Sequence, residues 1–141
     1  MRRPEALLLN THAWIWLIKD NPRLNAPARK AISKASEANL LRLSATSVFE
    51  ISMLMRKKRY LSPGISLEDW VRTALLIPGL SVLPIDARVA LQSQLWGEEF
   101  HSDPADRFIV ATAQIERCRL TTADALVLAF AGKIRLPVLA L

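Results

Sequence analysis

Four polar side chains hold equivalent positions in the sequence, each close to the point where a short apolar run gives way to a predicted helix. Asn10 directly follows the first run, and Glu50, Asp106 and Asp124 lie near the starts of later helices. Carboxylates that share one place repel one another unless a cation neutralises them, and hard oxygen ligands select Mg²⁺ or Mn²⁺. A divalent ion that also binds phosphate can activate water for phosphodiester cleavage. The four residues therefore predict a metal-dependent phosphodiesterase site.

Helix capping is the alternative interpretation of the same acidic residues. Glu50 follows Ser47, and Asp124 follows Thr121, at the spacing of a capping box. Asp103 precedes a proline and suits an N-cap, although it could also be a further carboxylate near the metal. Capping explains each residue alone but does not require the residues to meet. A metal site requires the residues to lie close together, and the predicted parallel sheet would bring them to one edge.

Short apolar runs alternate with amphipathic helices along the whole chain. This alternation predicts a parallel sheet covered on both faces, with right-handed crossovers and a site beyond the carboxyl ends of the strands. The predicted fold class is α/β, a three-layer α/β/α domain with a central parallel sheet of four to five strands, and residues 1–141 form one domain. The predicted strands are 6–9, 40–45, 80–84, 120–122 and 136–139; the helices are 11–19, 27–38, 46–59, 67–76, 86–96, 103–116 and 123–130.

Composition restricts the class of protein further. The chain has 141 residues, and 19 Lys and Arg against 13 Asp and Glu give a net charge of +6. A basic surface attracts phosphate-rich partners or acidic proteins. The single cysteine, Cys118, excludes an internal disulfide and a zinc site of several thiolates, and we expect it to be buried and inert. No run is long enough to span a membrane, so we expect a cytoplasmic protein with no membrane partner.

Four segments, taken together and in this order, resemble PIN-domain ribonucleases, in particular the VapC-type toxins of bacterial type II toxin–antitoxin pairs. The resemblance covers nearly the whole chain. The segments are Leu-Leu-Leu-Asn-Thr-His at 7–12 with Trp-Leu at 16–17, Ser-Ala-Thr-Ser-Val-Phe-Glu-Ile at 44–51, His-Ser-Asp-Pro-Ala-Asp-Arg-Phe-Ile-Val-Ala at 101–111, and Leu-Thr-Thr-Ala-Asp at 120–124.

The resemblance implies an endoribonuclease toxin that uses Mg²⁺ or Mn²⁺ to cleave RNA, such as tRNA or another structured RNA. It also implies a homodimer and inhibition by a cognate antitoxin. The family's acidic positions fall on Asn10, Glu50, Asp106 and Asp124, which are then the catalytic and metal-binding residues, and the supporting hydroxyls fall on Thr122 and Thr11.

Asn10 departs from the family, which has Asp at the first acidic position. Asn keeps an oxygen acceptor but loses the negative charge, so metal binding weakens and any general-base role is lost. Asp to Asn is the smallest change that silences a toxic nuclease, which motivates the hypothesis that this chain is an inactivated enzyme. Two alternatives stay open: a non-catalytic module that binds RNA or a protein, and a structure-specific DNA nuclease, against which the absence of an added helical arch or clamp argues.

Five basic side chains are candidates for contact with RNA. Arg56, Lys57, Lys58 and Arg59 form the densest basic run and could neutralise phosphates, but cations are also favoured at a helix C-terminus. Arg107 follows Asp106 and could bind phosphate, pair with a carboxylate of the site, or form a plain surface ion pair.

Two further side-chain types have both a functional and a structural interpretation. His12 lies beside the first corner and could contact substrate, or it packs locally. Trp14 and Trp16 are two apart on a predicted helix and cannot share one face. We therefore expect one of them in the core and the other on a surface for a dimer or an antitoxin.

Overall fold

The computed structural model describes residues 5–58 and 64–141. Five strands form one sheet in the order β3-β2-β1-β4-β5, and every neighbouring pair is parallel. The strands are β1 Leu7–Leu9, β2 Leu41–Ser44, β3 Leu80–Leu83, β4 Arg119–Thr122 and β5 Val138–Ala140. The helices are α1 Thr11–Ile18, α2 Ala26–Glu37, α3 Ala45–Lys58, α4 Leu67–Ala74, α5 Ala87–Leu95, α6 Pro104–Ile115 and α7 Ala125–Lys133, with a 3₁₀ turn over Gly97–Glu99.

The central strand β1 contributes to two separate hydrophobic clusters because its side chains alternate between the faces of the sheet. Leu8 packs with α5, α6 and α7 on one face, and Leu7 and Leu9 pack with α1, α2, α3 and α4 on the other. All three leucines are buried, as expected for a parallel sheet covered on both faces. The predicted three-layer α/β/α fold with a parallel sheet is confirmed.

The strand order places a crevice at the carboxyl ends of β1 and β4. The chain adds β2 and β3 on one side of β1 and then returns to add β4 on the other side, so the strand order reverses between β1 and β4. Open α/β sheets bind their ligands at such a reversal. Leu9 pairs with Leu43 and with Thr121, so the residues that follow these three strands share one edge.

Three predicted elements, α4, α7 and β5, differ from the observed ones by two residues or more. Helix α4 ends at Ala74, two residues before the predicted end at 76. Helix α7 begins at Ala125 because Asp124 is its N-cap, so the predicted start at 123 is wrong. Strand β5 begins at Val138, opposite Leu120, whereas Leu136, predicted to start the strand, packs in the core. No helix within the described residues is long and apolar enough to cross a membrane.

Candidate active site

Asn10 links the first corner to the end of β4. As the N-cap of α1, it accepts a hydrogen bond at Oδ1 from the Ala13 amide, at 2.8 Å. Its Nδ2 donates to Thr122 Oγ1, also at 2.8 Å. The side chain is buried, and its oxygen therefore faces the helix while its nitrogen faces the β4 corner.

Asp124 and Thr122 form the β4 corner itself. Thr122 Oγ1 accepts a second hydrogen bond, from the Asp124 amide at 3.1 Å. Asp124 Oδ1 accepts from the amides of Leu126 and Val127 at 2.8 and 3.0 Å. The predicted capping box that starts at Thr121 is wrong, because that hydroxyl donates across the sheet to the carbonyl of Leu8.

Glu50 is held in place by α1. Thr11 Oγ1 donates to Glu50 Oε1 at 2.6 Å and lies 2.7 Å from Ser47 Oγ. Since Thr11 has one hydroxyl proton, Ser47 donates to Thr11. The predicted capping box of Ser47 and Glu50 is wrong: α3 already begins at Ala45, so both residues lie inside the helix and face α1.

Asp106 lies in the first turn of α6, behind the N-cap Asp103, whose Oδ1 accepts from the Ala105 amide at 3.2 Å. Burial, and after it the negative charges of Asp103, Asp124 and Glu50 in that order of effect, together raise the pKa of Asp106 to about 7. Because charges act on a carboxyl mainly at short range, this effect agrees with the strand pairing, which brings the corners of β1, β2 and β4 to one edge of the sheet. Asp103 is the N-cap that the sequence predicts.

His101 is a neighbour of Asp106 to which the sequence patterns assigned no role. Its Nε2 lies 3.1 Å from Asp106 Oδ2. Its ring meets the Phe100 ring edge-on, with centroids 4.4 Å apart. Its place in the His-Ser-Asp-Pro segment, five residues before Asp106, was the available signal.

Arg107 does not face solvent, which corrects its prediction as an RNA contact or a surface ion pair. The side chain is buried, and its guanidinium donates to four main-chain carbonyls. The acceptors are His101 at 2.8 Å, Ser93 at 2.7 Å, Phe100 at 2.5 Å, and Gly97. A guanidinium occupied in this way supports the segment that precedes α6.

The basic run ends α3. Arg56 and Lys57 are exposed, as contact with RNA would require. Arg59 and the side chain of Lys58 lie outside the described residues. The predicted contact at these two positions therefore stays a prediction.

One tryptophan of the pair is in the core as predicted, the other is half-buried and packs against the same hydrophobic cluster, and Cys118 is buried. Trp14 is fully buried in the core, whereas Trp16 is half-buried with the Arg23 guanidinium 5.7 Å from its ring centroid. His12 is exposed, with its ring 6.4 Å from that of Trp16. Burial raises the pKa of the Cys118 thiol to about 11, so the thiol stays protonated and inert.

The carboxylate oxygens at the carboxyl edge of the sheet are of a type that suits a hard divalent cation. Glu50 and Asp124 each use one carboxylate oxygen in a hydrogen bond, to Thr11 and to the start of α7, and each has a second oxygen. Oxygen ligands of this kind are those that Mg²⁺ and Mn²⁺ prefer. Among residues 5–58 and 64–141, no three Asp, Glu, His or Cys side chains are gathered closely enough to enclose a metal ion as they stand. The carboxylates fit such an ion in type, and binding would have to draw them together.

Comparisons with known proteins agree with this architecture. A family model described as the PIN domain matches residues 7–133. Ribonuclease VapC22 of Mycobacterium tuberculosis is 32% identical over 118 residues, which cover 84% of this chain and 86% of that protein. VapBC2 from Rickettsia felis, bound to a fragment of its promoter DNA, has a TM-score of 0.67 and 14% identity over 95% of this chain and 97% of its own. DNA-bound VapBC from Salmonella typhimurium has a TM-score of 0.67 and 17% identity over 96% and 98%; at these identities the structural likeness concerns the fold alone.

Proposed function

The chain belongs to the PIN-domain family, and on that premise we propose that it is the ribonuclease toxin of a toxin–antitoxin pair, with a site for Mg²⁺ or Mn²⁺. The observation that carries the proposal is the placement of Glu50, Asp106 and Asp124 at the carboxyl edge of the sheet, where the charges of Glu50 and Asp124 raise the pKa of Asp106. The similar protein from Mycobacterium tuberculosis, which matches over most of the chain, is a ribonuclease. Residues 1–141 would act as one domain in the cytoplasm.

The three acids would bind the cation directly or through water. Thr11 orients Glu50 through the 2.6 Å hydrogen bond, and Thr122 orients the main chain of Asp124. A bound Mg²⁺ or Mn²⁺ ion supplies Lewis acidity, which polarises the phosphate and promotes ionisation of the attacking water. The chain's own part is to present three carboxylates from separate elements, Glu50 in α3, Asp106 in the first turn of α6 and Asp124 at the N-cap of α7, at one edge of the sheet.

We propose that Asn10 occupies the first acidic position of the family and leaves this chain with reduced or no activity. The amide contributes no charge to the site. Its oxygen caps α1, and its nitrogen donates to Thr122, so a donor faces the place where a carboxylate would present an acceptor. With Asp in its place, the Thr122 hydroxyl could donate to the carboxylate and orient it.

The test is Asn10→Asp, compared with the chain as it exists on total RNA. We expect metal-dependent fragments from the Asp variant with Mg²⁺ or Mn²⁺, none with chelator, and at least ~100-fold fewer from the parent chain. Asn10→Asp combined with Asp106→Asn is the control, and its activity should fall to the parent's level. Absence of cleavage by Asn10→Asp with both metals and all RNA pools would contradict the proposal, and cleavage of DNA in preference to RNA would favour the DNA nuclease.

A non-catalytic module that binds RNA or a protein is the second candidate, and the amide at Asn10 is the observation that favours it. Under this alternative, Asn10→Asp would bind RNA with the parent's affinity and would still not cut. The Asn10→Asp variant therefore distinguishes the ribonuclease from the non-catalytic module.

We also propose that a cognate antitoxin binds this chain and that the chain forms a homodimer. The solved neighbours include VapBC assemblies, and large apolar side chains are exposed, with Phe49 at 66% and Leu95 at 65%. Light scattering after size exclusion should give twice the chain mass. A monomer at micromolar concentration would remove the homodimer from the proposal.

A further inference from the structure

His101 places a ring nitrogen against Asp106 at the site. Nε2 lies 3.1 Å from Asp106 Oδ2, and both side chains are only 27% exposed. The Nε2 atom is buried, and no hydrogen bond with good geometry reaches it from any residue that the structure describes. Because a buried donor without a partner is costly, a small rotation of the neighbouring carboxylate that aligns the two groups is favoured.

The position of the ring proton follows from the other ring nitrogen. Nδ1 faces the main-chain N–H of Asp103, which donates to it at 3.4 Å. In a neutral imidazole one nitrogen accepts and the other donates, so Nε2 carries the proton. The donor of His101 therefore points toward the carboxylate of Asp106.

The main chain of His101 is anchored independently of its ring. Arg107 donates to the His101 carbonyl at 2.8 Å and to the Phe100 carbonyl at 2.5 Å. Phe100 is buried and stacks on Phe130, with ring planes 4° apart and centroids separated by 4.2 Å. The guanidinium and the aromatic stack together hold the imidazole in one place.

We propose that His101 is a positioning residue for Asp106, and that Arg107 keeps His101 in position. The Nε2–H group would bind Oδ2 and leave Oδ1 directed to the shared edge, where the other carboxylates lie. This inference rests on the proposed function, because it takes Asp106 as a ligand of the cation. Hydrogen-bond partners of metal ligands typically contribute 10–100-fold to metal affinity.

The experiment measures Mn²⁺ affinity by calorimetry with full-length Asn10→Asp as the reference. Adding His101→Ala should weaken binding about 10–100-fold. Adding His101→Gln, whose amide nitrogen reaches the place of Nε2, should recover most of the affinity, whereas the shorter His101→Asn should not. Ser102→Ala, an exposed change in the same segment, is the matched control and should bind as the reference does.

Three results would overturn the inference, and they are distinguishable. A reference that binds no Mn²⁺ would refute the proposed function and this inference with it. A reference that binds Mn²⁺, together with a His101→Ala variant of equal affinity, would refute the inference alone. In the parent chain without metal, ¹⁵N spectra at pH 8 should show His101 protonated at Nε2 and a change at that nitrogen in Asp106→Asn; equal protonation of both nitrogens would also refute it.

Discussion

Burial and three neighbouring carboxylates make the charged form of Asp106 costly in the folded chain. The pKa of this group rises from 3.8 to about 7, while its pKa in the unfolded chain stays near the ordinary value. Between these values the folded state binds a proton that the unfolded state does not. Stability therefore falls as the pH rises from about 4 to 7, and the full cost remains above pH 7.

We expect Asp106→Asn to stabilise the folded chain at neutral and alkaline pH, because the amide has no charge to desolvate. The free energy of unfolding should rise by roughly 2 kcal/mol at pH 8, and the gain should disappear near pH 4. Urea unfolding across this pH range measures it. Glu98→Gln, at an exposed position, is the control for removal of one charge, and a gain at pH 8 of equal size in both variants would contradict the local explanation.

At the scale of the elements, the turn before β3 packs closely against the C-terminal end of α2. The Ser36 hydroxyl donates to the Pro78 carbonyl at 2.5 Å. Gly79 follows with φ at +77°, and a Cβ built on it would overlap the Ser36 carbonyl. A side chain at this position is therefore excluded twice, by the backbone conformation and by the neighbouring helix.

We expect Gly79→Ala to lower the free energy of unfolding by about 3 kcal/mol or more. Gly64→Ala is the matched control, because Gly64 also has a positive φ, at +85°, but no atom of the residues that the structure describes lies within 4 Å of its Cβ position. The control should lose only about 1 kcal/mol, the cost of the left-handed conformation. Equal losses in urea unfolding would show that crowding against α2 contributes nothing.

Arg107 joins α6 to the segment that follows α5. We expect Arg107→Ala to lower the free energy of unfolding by about 3 kcal/mol, because the carbonyls of Ser93, Gly97, Phe100 and His101 would no longer have a donor. Arg88→Ala is the control: this arginine is 67% exposed and pairs with carboxylates on the surface, and its removal should change stability by less than about 1 kcal/mol. An Arg107 variant as stable as the Arg88 variant would contradict the structural role.

At the scale of the whole molecule, the net charge of +6 favours association with a polyanion. Phosphate contacts release counterions, so affinity for RNA falls as salt rises, and the slope reports how many phosphates the protein neutralises. Arg56 and Lys57 are exposed at the end of α3, the helix that also carries Glu50. These side chains lie roughly 9 Å beyond Glu50 along the helix, so an RNA backbone in contact with them would run along the helix that carries this acid.

We expect Arg56→Gln with Lys57→Gln to weaken RNA binding in the presence of chelator and to reduce the salt slope by roughly 0.7 for each phosphate that the variant no longer neutralises. Lys30→Gln with Lys34→Gln removes the same charge from exposed positions on α2 and should leave the slope nearly unchanged. The salt dependence of RNA affinity is measured by fluorescence anisotropy at about 50 to 200 mM salt. Equal slopes in the two double variants would show that total charge, and not this run, drives binding.

The order of the elements and the parallel sheet could be predicted from the sequence, because strand and helix periodicities are local properties of the chain. The sequence also placed Asn10, Glu50, Asp106 and Asp124 near the ends of strands or the starts of helices, since parallel strands bring these positions to one edge. Asp103 as an N-cap was predictable for the same local reason, as was the burial of one member of the Trp14 and Trp16 pair.

The contacts of those side chains could not be predicted from the sequence and became clear from the folded chain. Asn10 donates to a hydroxyl 112 positions away, and Thr11 rather than a helix end engages Glu50; both contacts depend on sheet register and helix packing, which no local pattern encodes. Arg107 directly follows Asp106 in the sequence, a position that also suits a surface ion pair. It is buried because Ser93 in α5 and three residues of the segment after α5 present four carbonyls to it, and the same segment brings His101 to Asp106.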